Sequence, residues 1–256
     1  MTMHGKSVLI TGGNSGIGLA TARLMLAQGA RVAITGRDQG KLDAAVAELK
    51  HDVLGIRADL TRVEDIQALV AQLGGTFDRL DVVFANAGIS GPTPLGSTTL
   101  QDFELILRTN LTSVFFTLQA VLPLMSEGSA IVFNGSVMRE LGSPGSAAYS
   151  ATKAGISGMA KVFAAELAPR GIRVNTVIPG ATRTPIWTRD SRSAGSMEAT
   201  EAYLAPRIPL GRLAEPEETA NAVLFLATAP GITGAEVVVD GGATGAPYGG
   251  PIFRQA

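Results

Sequence analysis

The sequence predicts an α/β fold: a single-domain, doubly wound parallel sheet with helices on both faces. Three observations predict it. Short apolar runs of strand length alternate with stretches of helical periodicity along the chain. The first run is followed by a glycine-rich turn, Thr11-Gly12-Gly13-Asn14-Ser15-Gly16-Ile17-Gly18. No linker divides the 256 residues, a length that one sizeable core accommodates.

Taken in order, Lys6 to Thr11 encloses Ser-Val-Leu-Ile, a run that suits a strand buried on both faces. After the glycine turn, Leu19, Ala22, Leu24, Met25 and Leu26 are spaced as in a helix ending at Gly29, and Arg31 to Thr35 forms a second strand. Strand, turn, helix and strand make a βαβ unit, whose crossover places the two strands parallel. Asp38 can cap a helix over Lys41 to Leu49, and Val53 to Ile56 is a third strand. Thr61 can cap a helix from Val63 to Leu73, and Leu80 to Ala85 is a fourth strand. One long helix is expected from Leu100 to Met125, with Pro123 in its last turns. Ser129 to Asn134 is a fifth strand, and a helical run extends from Ala147 to Pro169. Ile172 to Ile178, a helix from Glu215 to Ala227, and Ala235 to Val239 complete a Rossmann-like alternation.

Two segments break the rhythm. Residues 181–212 hold Pro185, Pro206, Pro209 and the single tryptophan, Trp187, and suit a substrate loop or lid. The tail, 241–256, is rich in glycine and proline and cannot be a helix; it either lies exposed or docks through Tyr248, Ile252 and Phe253.

Composition excludes several functions. The formal charge is −1 with no basic run, which argues against nucleic acid. There is no cysteine, hence no disulfide or thiol chemistry. The two histidines, His4 and His51, are far apart in sequence, against a classical zinc site. No segment is expected to supply the ~20 apolar residues of a membrane span. The first residues carry no apolar stretch, so no signal peptide is expected and a cytoplasmic location is.

Chemistry enters at two places. Gly12, Gly16 and Gly18 let backbone approach a pyrophosphate, and the start of the following helix offers free N–H groups to it. The second strand ends Ile34-Thr35-Gly36-Arg37-Asp38, with no acid at its tip. Arg37 suits the 2′-phosphate of NADP, so NADP(H) is favoured; NAD(H) is possible if Asp38 turns in to hold a ribose hydroxyl. The second place is Tyr149-Ser150-Ala151-Thr152-Lys153. Residues i and i+4 share a helix face, so phenol and ammonium lie side by side. Bringing a tyrosine from its ordinary pKa of about 10 to ~7 takes roughly 4 kcal/mol, which a neighbouring cation helps to supply.

With these pieces the chain resembles the classical short-chain dehydrogenase/reductase family over nearly its whole length. Thr11-Gly12-x-x-x-Gly16-Ile17-Gly18, with Asn14 and Ser15 inside it, is similar to the family's cofactor turn. Asp59-Leu60 matches its adenine-contacting pair, and Asn86-Ala87-Gly88 its N-A-G, with Ala85 where an asparagine often stands. Asn110, Ser136, Tyr149 and Lys153 match its catalytic set. Pro179-Gly180, followed by Thr182 and Thr184, resembles the segment that meets nicotinamide and pyrophosphate.

The resemblance implies an oxidoreductase that transfers a hydride between nicotinamide and a carbonyl or secondary alcohol. It implies that Ser136 orients the carbonyl, Tyr149 is the acid/base, Lys153 lowers the tyrosine pKa and holds the ribose, and Asn110 positions a water relaying protons to Lys153. The walls around Ser90–Leu95, Val137–Leu141, Pro144–Ser146 and 184–210 carry Met138, Leu141, Ile186, Trp187 and Leu204, which suits a hydrophobic, medium-sized ketone; Arg139 and Glu140 are expected at a watery rim. The alternatives are a 3-oxoacyl-[acyl-carrier-protein] reductase, with Arg170 placed to meet an acidic carrier, and a non-catalytic NADP(H) sensor. Against the carrier reading, Ser126-Glu127-Gly128-Ser129 stands where such reductases tend to be basic. The apolar faces of the 100–125 and 147–169 helices and the resemblance together predict a homo-oligomer, a dimer or a tetramer.

Overall fold

A computed structural model describes residues 3–50, 53–189 and 196–253. His51 and the middle of the 188–200 polar stretch lie outside the described residues. The strands are β1 (Ser7–Ile10), β2 (Arg31–Gly36), β3 (Leu54–Arg57), β4 (Leu80–Ala85), β5 (Met125–Asn134), β6 (Arg173–Pro179) and β7 (Glu236–Val239). They form one parallel sheet in the order β3-β2-β1-β4-β5-β6-β7. The order reverses between β1 and β4, and in open α/β sheets ligands bind outside the strand C-termini at such a switch point.

The apolar runs are double-sided because both sheet faces are covered. Val8, Ile10, Val82, Phe84 and Val132 point to one face, where α1 (Gly16–Ala27), α2 (Gln39–Leu49) and α9 (Pro216–Thr228) bring Met25, Leu42, Leu49, Val223 and Leu226. Leu9, Val83, Ile131 and Phe133 point to the other, against α3 (Val63–Gly74), α5 (Ser113–Val121) and α6 (Ala147–Leu167). Alternation along each strand follows from the two-residue period of the pleat.

The expected helix from Leu100 to Met125 is interrupted. α4 (Leu100–Leu107) passes through a π turn at Arg108–Thr112 into α5, then a 3₁₀ turn at Leu122–Leu124, and Met125 already belongs to β5. Pro123 has no N–H to carry the α pattern onward. The stretch Leu100–Leu124 is long and apolar enough by length and composition to cross a membrane, which corrects the sequence reading; its Val114, Leu118 and Val121 are core residues of the sheet's second face. A second correction concerns α3: Arg62 occupies the cap position, and the Thr61 hydroxyl instead donates to Asp59 at 2.7 Å. Asp38 does cap α2, accepting from the Lys41 N–H at 2.9 Å.

In the irregular segment lie α7 (Ile186–Arg189), α8 (Met197–Leu204) and a 3₁₀ turn at Ala205–Arg207. Arg183 ties this segment together, bonding Glu201 on α8 at 2.6 Å and Glu215 before α9 at 3.1 Å. The tail is not wholly irregular; it forms 3₁₀ turns at Pro247–Gly249 and Pro251–Phe253. It docks on its own domain: a side chain at Gly250 would stand 2.8 Å from the Pro206 carbonyl oxygen and 3.0 Å from the Arg207 carbonyl carbon. Tyr248, Ile252 and Phe253 nevertheless stay largely exposed.

Candidate active site

A cleft of about 780 Å³ runs along the C-terminal ends of β1 to β5. That is large for a small metabolite alone. It begins at the glycine turn. Gly12 (φ +63°) and Gly16 (φ +54°) adopt left-handed backbone that disfavours any side chain. A Cβ on Gly18 would stand 2.4 Å from the Gly12 carbonyl oxygen and 2.6 Å from Asn86 Nδ2. The first helix starts at Gly16 behind Ser15, whose side chain makes no capping bond, so the N-terminal N–H groups face the cleft free for an anion. Thr35 Oγ1 holds the turn from the β2 side, accepting from the Gly12 N–H at 3.2 Å.

From the turn the cleft passes between the ends of β2 and β3. Gly36 makes room for Asn14, whose side chain lies 2.9 Å from where a Cβ would be. Arg37 and Lys41 line this end, and Arg37 is exposed. Asp59 and Leu60 line it too. Burial alone would raise the Asp59 pKa, but hydrogen bonds from the Thr61 hydroxyl and N–H and the charges of Arg37 and Arg62 outweigh it and hold the carboxyl below its usual value.

Asn86, Ala87 and Gly88 form the cleft floor after β4. Asn86 Nδ2 donates to the carbonyls of Thr11 (3.0 Å) and Gly12 (3.1 Å), and the N–H groups of Asn86 and Ala87 donate to Thr11 Oγ1, each at 3.0 Å. The asparagine therefore clasps the glycine turn to β4.

The far end of the cleft holds Tyr149 and Lys153. Their helix, α6, is seated by the 89–97 loop: Thr93 Oγ1 accepts from the Ala148 N–H at 3.0 Å, and the Thr93 N–H donates to the Gly145 carbonyl at 2.8 Å. Lys153 Nζ is buried, lies 5.6 Å from the Tyr149 ring centre and donates to the Asn134 carbonyl at 2.7 Å. Burial brings the Lys153 pKa down to about 8. Burial also raises the Tyr149 pKa, and a hydrogen bond with Ser136 opposes it in part. This differs from the sequence expectation, because desolvation of the phenolate outweighs any help from the lysine. Ser136 sits after β5, capping the 3₁₀ turn Val137–Arg139.

Other expected residues hold less direct positions. Asn110 falls in the π turn, with its side chain committed to Ile89: Oδ1 accepts from the Ile89 N–H and Nδ2 donates to its carbonyl, both at 2.8 Å. Its Nδ2 also lies 3.3 Å from Thr152 Oγ1, so the side chain joins the loop after β4 to α6. Thr184 lines the cleft; Gly18, Pro179, Gly180 and Thr182 are not among its lining residues. Gly180 instead permits close packing, since a Cβ there would stand 2.7 Å from Asp240 Cα. Arg139 is not a rim residue: its side chain is only 15 % exposed and pairs with Glu236 on β7. Arg170 donates to the carbonyls of Leu122 (3.3 Å) and Met125 (3.0 Å) and so serves its own backbone. Sequence reasoning missed Asn134, Thr109, Ser113 and Lys41 in the cleft lining, whereas Ile186, expected in the pocket wall, does line it. Asn134 alone carried a signal, as the polar end of an apolar strand two residues before Ser136.

The fold is a Rossmann-like parallel α/β sheet, and the cleft at its switch point brings the glycine turn, Tyr149 and Lys153 together. A family model described as enoyl-(acyl carrier protein) reductase matches residues 12–244. Cis-4-hydroxycyclohexanecarboxylate dehydrogenase of Sinomonas cyclohexanicum is 39% identical over 93% of this chain and 96% of its own. The 3-oxoacyl-[acyl-carrier-protein] reductase of Thermotoga maritima is 38% identical over 94% and 99%. A solved short-chain dehydrogenase from Burkholderia cenocepacia, in complex with NADP, superposes with a TM-score of 0.86 at 31% identity, covering 95% of this chain and 99% of that one. The chain belongs to the short-chain dehydrogenase/reductase family, and it is an oxidoreductase acting on CH–OH or C=O groups.

Proposed function

We propose an NADP(H)-dependent reductase or dehydrogenase of alicyclic or other apolar ketones and secondary alcohols, with Tyr149 as its acid/base. The observation that carries this reading is Tyr149, bonded to Ser136 and next to Lys153, at the end of a cleft that begins at a glycine turn. The residues fit a nicotinamide dinucleotide: the open backbone at Gly12 and Gly16 and the uncapped start of α1 suit a pyrophosphate, and Arg37 and Lys41 suit a phosphate on the ribose. When bound, the nicotinamide supplies or accepts the hydride. The protein's own part is protonic. Ser136 directs the carbonyl oxygen toward Tyr149, and the phenol gives that oxygen its proton as negative charge develops there. In the alcohol direction the phenolate takes the proton back, and the Lys153 ammonium stabilises the phenolate.

Support for NADP over NAD comes from Asp38, whose carboxylate caps α2, and from the absence of an acid at the tip of β2. The cyclohexane-ring alcohol named for the Sinomonas relative and the apolar Ile186 in the cleft wall support the substrate class. A second reading, reduction of 3-oxoacyl thioesters, has the Thermotoga relative in its favour; Arg170, the cation best placed for an acidic carrier, is taken up by backbone carbonyls. The test is steady-state oxidation of NADPH and of NADH over cyclic ketones, aryl ketones, keto-sugars and 3-oxoacyl thioesters. Tyr149→Phe is expected to lower kcat about 10³-fold with cofactor affinity unchanged, and Arg37→Ala to erase the NADPH preference. Full turnover by Tyr149→Phe would sink the acid/base assignment.

A further inference from the structure

Asn134 ends β5 inside the cleft, and two bonds with side chains meet on it. Its carbonyl accepts from Lys153 Nζ at 2.7 Å, its Nδ2 donates to Asn86 Oδ1 at 2.8 Å, and Asn86 passes the connection to the Thr11 and Gly12 carbonyls. The orientation of both amides follows from the bonding. Asn86 spends both its N–H bonds on carbonyls, so its oxygen faces Asn134, and only the Asn134 amide nitrogen can answer. Asn134 Oδ1 is buried without a hydrogen-bond partner among the described residues. Two amide side chains, Asn134 and Asn86, thus tie the ends of β5, β4 and β1 together, in addition to the backbone bonds of the sheet there. The lysine comes from α6 on the opposite face of the sheet from α1, so no local rule sets its distance to the glycine turn.

We propose that Asn134 is a positioning residue: its amide, bonded to Asn86, ties the strand end whose carbonyl holds Lys153 to the clasp on the glycine turn, and so sets the lysine relative to that turn. The inference rests on the proposed dinucleotide reading. Its consequence is specific to the nicotinamide half of the cofactor. Loss of the amide leaves the adenosine end untouched and lets the lysine wander.

The experiment is isothermal titration calorimetry of wild type, Asn134→Leu, Lys153→Met and the double variant, with the tighter of NADP⁺ and NAD⁺ and with the matching adenosine fragment lacking nicotinamide. Asn134→Leu keeps the γ-branched outline of asparagine in a larger, apolar side chain; Asn134→Ala removes the same donor and replaces it should the leucine variant not fold. The expected result is cofactor affinity weakened about tenfold, fragment affinity within twofold of wild type, and no further loss when Asn134→Leu is added to Lys153→Met. Unchanged cofactor affinity overturns the proposal. So does an equal loss in both backgrounds, which marks a general structural effect rather than one acting through the lysine. Failure of wild type to bind either cofactor defeats the underlying reading instead, and this inference with it.

Discussion

Lys153 bears its charge in a buried place, and that has a measurable signature. Its pKa is down to about 8 from the ordinary 10.5 because burial disfavours the ammonium. Below pH 8 folded and unfolded chains both hold the proton and the cost of burying it is fully present. Between 8 and 10.5 the unfolded chain binds more protons, so this residue's contribution to stability rises with pH across that window. Activity runs the other way. Above pH 8 the ammonium beside Tyr149 is lost, so kcat/KM for carbonyl reduction is expected to fall with a limb near pH 8. Lys153→Arg should move that limb upward, because a guanidinium keeps its charge; a profile unchanged in the variant assigns the limb to another group. The elevated Tyr149 pKa has its own consequence: the phenol is the acid form at neutral pH, ready for reduction, and alcohol oxidation should speed up as pH rises.

Among the elements, the glycine turn is the most intolerant. Gly18→Ala would drive a methyl group against the Gly12 carbonyl and the Asn86 amide, and neither is the free end of a flexible chain. The turn must move, and cofactor affinity should fall at least about tenfold, roughly 1.4 kcal/mol, as titration calorimetry would read; wild-type affinity would show that the turn has slack. The elements were largely legible beforehand, because strand runs and helix periods are local. The 100–125 stretch was not. Its period is helical throughout, and nothing local announces the π turn at Arg108–Thr112 that seats Asn110 against Ile89. Such turns recur at functional sites.

At the level of the molecule, α5 and α6 leave an apolar surface. Phe116 is 46 % and Val162 53 % exposed, and Phe115 meets Phe116 edge to face at 5.3 Å between ring centres. Exposed aromatic patches of this kind mark interfaces. Light scattering behind size exclusion is expected to give more than one chain per particle, and Phe116→Asp to lower that mass; a monomeric wild type would refute it. The tail belongs to this scale too. Glycines 241 and 242 lie against Ile208 and Pro209, so the start of the tail braces the segment before α9.

What the sequence alone determined is whatever short-range geometry dictates: the order of strands and helices, the glycine turn, the cap at Asp38, and the pairing of Tyr149 with Lys153 four residues later on one helix face. The tertiary structure decided what depends on partners far away in the chain. It turned Arg139 inward onto Glu236, spent Arg170 on backbone carbonyls, and brought Asn134 between Asn86 and Lys153. It also set the sign of the Tyr149 shift. Spacing places a cation beside a phenol, but the cost of removing that phenol's charged form from water depends on everything packed around it.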